Sequence, residues 1–350
     1  MCYKAGVTEL PPKIDVAIVG GWFAGMSTAC WLARRAVRDV IVLEREAEMG
    51  LYESGRRDWL GRQLAEDDLI SALTVAGAAQ LRAQFPHAWT ETGGILTFDT
   101  IDHARDYAAR AERLGVTAKR MSRDAVLVHW PQLAAVQIEA ALHVPSDGLI
   151  DVAALLAGFA SDARIAASTG VERVEPAAAG ARIVTSRGPL EARVVVDATG
   201  AWAGRTTGDT ALDSYKRHVY VLEAVAPTGA PFVWHLGACE LYVRAAGGRV
   251  MVSPCDATRT PAGDQQPDLD GESLLRERLA DSPLASAPLA RAWACQRTFP
   301  RLPPMRLERD RERPWLVWAT GLGGHGATAS AAVGEAVSAL VVAALESPRG

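Results

Sequence analysis

The stretch Ile14-Asp-Val-Ala-Ile-Val-Gly-Gly-Trp-Phe-Ala-Gly25, followed by Val40-Ile-Val-Leu-Glu44, decides the fold. Ile14 to Val19 is a short apolar run of the kind that forms a buried parallel strand. Glycines follow, and a helical stretch from about Gly25 to Arg35 carries Met26, Ala29, Cys30, Leu32 and Ala33. Val40 to Leu43 is a second buried strand. Together they make a βαβ unit of about 30 residues with its glycines where a dinucleotide fingerprint belongs. In G-x-G-x-x-G the first glycine makes the turn, the second admits the pyrophosphate, and the third permits close helix–strand packing. Here Gly20 and Gly25 hold the outer positions, Gly21 and Ala24 lie between them, and Trp22 occupies the middle one. Glu44 stands 19 residues beyond Gly25, where an acidic side chain reaches an adenosine ribose hydroxyl.

One βαβ unit cannot complete a nucleotide-binding sheet. The remaining strands must come from far along the chain, near 194–196 and 315–319, which implies a discontinuous domain with a second domain inserted into it. Gly94 to Phe98 reads as a strand, Ile101 to Leu114 as an amphipathic helix stopped by Gly115, and 151–163 as another helix. Short strands separated by turns fill 171–196, and 215–256 is strand-rich. A hydrophilic loop is expected at 258–272, and a final helix at about 327–344. The expected division is a nucleotide-binding domain from 1–84, 146–208 and 297–350, and a second domain from 85–145 and 209–296.

Composition bounds the function. The 350 residues, 49% of them hydrophobic, suffice for two domains with real cores. Thirty-seven basic against 41 acidic residues give a net charge of −4 with no basic run, so no nucleic-acid partner is expected. Five scattered cysteines without paired spacing argue against a disulfide framework and for a reducing, cytoplasmic setting. No metal-ligand spacing is present. Neither a signal peptide nor a transmembrane segment is expected; the apolar stretch from Ala327 to Leu345 is interrupted by Glu335 and reads as a packed helix.

Two further glycine segments sharpen the reading. Val194-Val-Val-Asp-Ala-Thr-Gly200 runs into Ala201-Trp-Ala-Gly204, a strand and tight turn. Ala319-Thr-Gly-Leu-Gly-Gly-His-Gly326 is a strand, a glycine-rich loop and a helix start. With the fingerprint and Glu44, the loop Glu53-Ser-Gly-Arg56 and the strand Gly93-Gly-Ile-Leu-Thr-Phe98, these resemble the FAD-dependent D-amino acid oxidase/dehydrogenase superfamily, which includes glycine and sarcosine oxidases. Val42-Leu-Glu-Arg-Glu46, Lys216-Arg217 and Val252-Ser-Pro254 look most like its bacterial D-arginine dehydrogenase branch. The resemblance implies an α/β fold: a discontinuous Rossmann-like FAD-binding domain and an inserted α+β substrate or cap domain on a mainly antiparallel sheet. It also implies hydride transfer from an amino acid or secondary amine to flavin N5, giving an imine that hydrolyses to a keto acid.

By the same resemblance FAD is held by Gly20, Gly21, Ala24, Gly25, Glu44, Arg45, Ser54, Gly55, Arg56, Val171, Ala198, Thr199, Gly200, Trp202, Gly321, Gly323, Gly324, His325, Gly326 and Ala327. Arg297 matches the family's substrate-carboxylate clamp, a task suited to a planar, permanently charged guanidinium. Tyr242 matches a cap-strand tyrosine facing the flavin. Ser54 falls near the flavin N5 edge, His325 near the ring, and Tyr52 where the D-arginine dehydrogenase branch has a histidine. Cys295 aligns with the cysteine joined to the flavin in sarcosine oxidases, but non-covalent FAD is expected. Departures include Trp22, Arg301 where Asp-Gly is usual after the arginine segment, and a shorter 205–215 region. An alternative is a repurposed, non-catalytic flavoprotein subunit with FAD binding weakened by Trp22; a nicotinamide enzyme would not need the later glycine segments. The position of the oxygen-activating lysine of sarcosine-type oxidases falls on Val250, with Arg249 turned to the opposite face. The expected acceptor is therefore a quinone or carrier protein rather than oxygen, making a dehydrogenase the favoured reading.

Overall fold

In the computed structural model, residues 7, 9–49, 59–207, 212–263, 266–300 and 304–347 are described. Lys13–Val19 sits mid-sheet, parallel to Val40–Leu43 on one side and to Gly188–Asp197 on the other. Val16 lies opposite Val40 and Val194, so fully buried apolar side chains stack across three strands. Leu316–Thr320 adds to Gly188–Asp197 in parallel and Ile165–Ala166 to Val40–Leu43. The first βαβ unit is thus completed by distant strands, as its incompleteness requires. Antiparallel Val171–Ala177 and Gly180–Thr185 extend one edge, and Arg306–Arg309 borders Leu316–Thr320.

Helix Phe23–Arg34 starts immediately after the fingerprint turn and packs beside the C-terminal helix Gly326–Glu346. The two approach so closely that a Cβ on Gly334 would lie 2.6 Å from the Ser27 carbonyl carbon. Gly326–Glu346 is long and apolar enough to cross a membrane by length and composition, yet 61% of its most apolar window is buried inside the protein. Asp68–Gln84 flanks it as a helix that the sequence pattern did not disclose. Asp67 caps that helix, its carboxylate accepting from the Leu69 and Ile70 N–H groups at 2.8 and 3.1 Å.

The second sheet is mainly antiparallel, in the order Thr258–Arg259, Leu212–Val225, Arg249–Ser253, Leu241–Ala246, Phe232–Leu236, Gly94–Phe98, Ala140–Val144, Lys119–Met121. Leu289–Pro300 also pairs with Leu212–Val225 and runs unbroken through residues 296 and 297. One face buries Val126, Trp130, Val250 and Leu275; the other buries Leu96, Trp234, Tyr242 and Met251. Trp59–Gly61, Gly148–Ile150 and Trp89–Glu91 form a small third sheet. The 258–272 segment is not the plain loop its polarity suggested. It contains strand Thr258–Arg259, and helix Leu269–Arg278 starts within it, capped by Asp268, whose carboxylate accepts from the Gly271 N–H at 3.0 Å.

Asp147 ties the third sheet to the segment entering the site. Its Oδ1 accepts from Gln63 N and Nε2 at 3.0 and 2.9 Å, while Oδ2 has no partner among the described residues. Burial pushes this carboxyl up to about 7, against the opposing pull of the Gln63 hydrogen bonds. Between the ordinary carboxylate value of about 4 and about 7, the folded chain therefore binds more protons here than the unfolded one. This group's contribution is fully present below about pH 4 and is lost as pH rises towards 7. Asp147→Asn is expected to flatten that decline and to raise stability above pH 7. Urea titrations at pH 5, 6, 7 and 8 check it; parallel pH profiles for both proteins would refute it.

Candidate active site

Three cavities adjoin through shared wall residues: two lie at the carboxyl ends of the parallel strands, where open α/β sheets bind ligands, and the third lies against the antiparallel sheet. The first, a cleft of about 360 Å³, is lined by Gly20, Gly21, Glu44, Arg45, Val171, Ala198, Thr199, Gly200 and Trp202. Gly20 takes φ +106°, and a Cβ there would lie 2.5 Å from the Ala198 carbonyl oxygen. A Cβ on Gly25 would lie 1.9 Å from the Gly20 oxygen, so Gly25 shapes the turn without lining the cleft. Glu44 Oε2 accepts from the Gly21 N–H at 2.7 Å and Oε1 from the Glu46 N–H at 2.9 Å, bracing the fingerprint loop. Arg45 lies 4.6 Å above the Trp202 ring, a charged and aromatic wall at the cleft. Buried Asp197 fixes the opposite turn, accepting from Thr199 N and Oγ1 and from Gly204 N.

Trp22 forms part of the walls of this cleft and of the next cavity, with its ring centroid 4.1 Å from that of Phe23. The indole stands between the two spaces and does not fill the larger one.

The second cavity is lined by Ala24, Trp59, Arg297, Gly321, Gly323, Gly324, Gly326 and Ala327 among others. Gly321 and Gly323 have φ of +74° and +54°, the left-handed bends that turn the strand end into the helix start. The first turn of Gly326–Glu346 therefore faces the cavity with unpaired N–H groups and the positive end of the helix dipole. A glycine cradle, a braced acidic residue and a helix N-terminus in two adjoining cavities fit an extended dinucleotide.

The third cavity, about 50 Å³, abuts the second at Trp59, Arg297 and Gly324. Tyr242 and His325 line it with Arg297, bringing together three of the residues singled out from sequence. Arg297 is 7% exposed; Nη1 donates to the Gln296 carbonyl at 3.1 Å, and Cζ lies 4.5 Å from the Trp59 ring centroid. Burial pushes the Tyr242 phenol far up, so it stays a neutral donor at any working pH. Burial also lowers His325, outweighing Glu66, whose Oε2 lies 3.3 Å from Nε2. A neutral His325 thus donates through Nε2 and leaves Nδ1 an acceptor. Burial alone would raise Glu66, but Arg62 and His325 hold its carboxyl well below the usual range.

Sequence reasoning missed Arg62, Arg217, Arg244, Trp59 and Trp234, all in this wall. Alternation on Leu241–Ala246 could have shown one of them, since Arg244 shares a face with Tyr242. Two expectations are corrected. Val250 is buried against the far face of the sheet, and Met251 is the strand residue at the cavity. The cavity does not lack cations either, because four guanidiniums line it. Arg249 is half exposed beside Glu223. Cys295 is wholly buried and lines none of the three cavities. Tyr52, Ser54, Gly55, Arg56 and Arg301 lie outside the described residues.

A family model described as FAD dependent oxidoreductase matches residues 15–340. The chain is similar to the glycine oxidase of Geobacillus kaustophilus, 27% identical over 274 residues that cover 71% of each chain. Among solved structures, L-proline dehydrogenase from P. horikoshii superposes with a TM-score of 0.83 at 20% identity, covering 95% of this chain and 94% of that one. The Geobacillus kaustophilus glycine oxidase structure gives 0.80 at 23%, covering 95% of each. L-amino acid deaminase from Proteus vulgaris, with its specific insertion sequence deleted, gives 0.77 at 18%, covering 97% and 93%. At these identities the structural likeness is one of fold.

Proposed function

The chain belongs to the family of FAD-dependent oxidoreductases, and from that premise we propose that it oxidises the C–N bond of an amino acid or secondary amine. The observation that carries this reading is the adjacency of the cavities: the dinucleotide cleft shares walls with the space before the C-terminal helix, which in turn shares Trp59, Arg297 and Gly324 with a small chamber that also holds Tyr242 and His325. Gly20, Glu44, Arg45, Thr199, Gly200 and Trp202 would hold the nucleotide half, and Gly321 to Ala327 the ring-bearing half. FAD, when bound, supplies the two-electron acceptor for the substrate Cα hydride, leaving an imine that water converts to a keto acid and ammonia or an amine.

The chain's own residues orient and tune. Arg297 grips the substrate carboxylate, and Tyr242 donates to it, fixing the direction of the Cα–H. The surrounding guanidiniums disfavour an ammonium, so the amine binds in its neutral, oxidisable form without a strong base. The N-terminus of Gly326–Glu346 offers positive potential where negative charge grows on reduction. The position of Cys295 supports non-covalent binding.

For the acceptor we favour a quinone or carrier protein. No lysine lines the chamber among the described residues, and of its four guanidiniums Arg62 is ion-paired with Glu66. A guanidinium also spreads its charge where an ammonium concentrates it. The rival, a non-catalytic subunit, draws on the indole of Trp22 in the cleft wall.

The test is to load purified protein with excess FAD, record its spectrum, and bleach it anaerobically with amino acids and amines. The same sample is then mixed with aerated buffer or with artificial acceptors. Uptake and bleaching, with slow reoxidation in air, are expected. No FAD uptake would sink the catalytic reading, and reoxidation in air as fast as turnover would make the enzyme an oxidase.

A further inference from the structure

Resting on that reading, we infer that the substrate is a compact amino or imino acid carrying a second anionic group, and that Arg62 is the residue that reads it. Arg62 follows the short strand Trp59–Gly61, in a segment held by the Gln63 bonds to Asp147 and by the Thr74 hydroxyl, which donates to the Gln63 carbonyl. The guanidinium is 3% exposed and lies 4.0 Å from the Trp234 ring centroid, in the chamber wall. Its Nη2 donates to Glu66 Oε1 at 2.8 Å. Its Nε and Nη1 meet no full acceptor among the described residues, the neutral Tyr107 hydroxyl being the polar group beside them.

Buried donors on a charged group are costly to leave unmet. Arg297 in the same chamber already meets the needs of one carboxylate. Arg217, also in the wall, has an unpartnered buried Nε. A substrate with a neutral side chain would leave the open nitrogens of Arg62 desolvated and unmatched. One with a cationic side chain, such as D-arginine, would meet repulsion from four guanidiniums. A carboxylate in place of the side chain, or on the amine substituent, satisfies them. A short dicarboxylate of the aspartate, glutamate or iminodiacetate class places two carboxylates among these guanidiniums.

The experiment measures anaerobic bleaching of the FAD-loaded enzyme by glycine, alanine, aspartate and glutamate (both enantiomers where they exist), iminodiacetate and D-arginine. Dicarboxylates are expected to exceed neutral amino acids in kcat/KM by roughly tenfold to a hundredfold, the range of a hydrogen bond to a buried charge. D-arginine should be slowest. Arg62→Met should collapse the dicarboxylate-to-neutral ratio towards one, and Arg62→Lys should keep part of it. A readout independent of variant folding is titration of wild-type holoenzyme with succinate, malonate or acetate, followed by the flavin spectrum; the dicarboxylates should bind at least tenfold tighter. Equal efficiency on neutral and dicarboxylic substrates, or equal affinity for acetate and succinate, overturns the inference and leaves the flavoenzyme reading intact. Failure of every amino acid and amine to bleach the flavin overturns both.

Discussion

Arg297→Ala is expected to lower kcat/KM on the physiological substrate by roughly 10²–10³, the loss of a charge-assisted carboxylate contact inside a closed site. The residue's setting is what makes the loss large. At 7% exposure, with its guanidinium 4.5 Å from the Trp59 ring centroid and Nη1 on the Gln296 carbonyl, it is held in one orientation before substrate arrives. Little ordering remains to be done on binding, so most of the contact's strength reaches the transition state. Lysine is no equivalent, since a single ammonium cannot match the planar fork, and Arg297→Lys should recover only part of the loss. Steady-state kinetics on wild type and both variants decide it, with the FAD content of each measured first. Near-native turnover by the alanine variant would remove Arg297 from the site.

What the sequence disclosed, and what it hid, divides along the range of the interactions. The fingerprint was legible because Gly20 and Gly25 answer to local geometry: one must adopt positive φ, and the other must touch a backbone oxygen five residues back. The need for distant strands followed from counting, and Gly188–Asp197 and Leu316–Thr320 meet it. The chamber was only partly legible because its arginines come from separate segments brought together by register. Arg217 lies opposite Cys295 across the Leu212–Val225 and Leu289–Pro300 pair, a match over almost eighty residues that no motif announces. Placing the lysine-equivalent position on Val250 shows how exacting register is: a one-residue shift moves a side chain to the other face of a sheet. Val250 sits against the helices, and Met251 lines the chamber. Arg62 follows a three-residue strand, too short for any periodicity to flag.

Gly25→Ala is expected to abolish FAD retention. The added Cβ would lie 1.9 Å from the Gly20 carbonyl oxygen and 3.2 Å from Ile18 Cγ2, distances no flexible side chain can relieve, because the first is to backbone. Either helix Phe23–Arg34 moves off the sheet or the Gly20 turn changes shape. The helix is already fixed on its other side by the close contact of Ser27 with Gly334. The turn therefore yields, and with it the Gly21 N–H that Glu44 holds at 2.7 Å. Overpacking of this kind costs about 1–3 kcal/mol in folding stability, so the variant should still fold while its nucleotide cradle is lost. Trp22→Gly should do the reverse. Trp22 has an extended backbone, caps nothing with its side chain, and lends only wall area to the cleft, so its removal should leave FAD affinity unchanged or increase it. Equilibrium dialysis of apoprotein against FAD, with circular dichroism to confirm folding, separates the cases. A Gly25→Ala protein that retains wild-type FAD affinity would refute the cradle, and a Trp22→Gly protein that binds more weakly would make the indole a ligand contact.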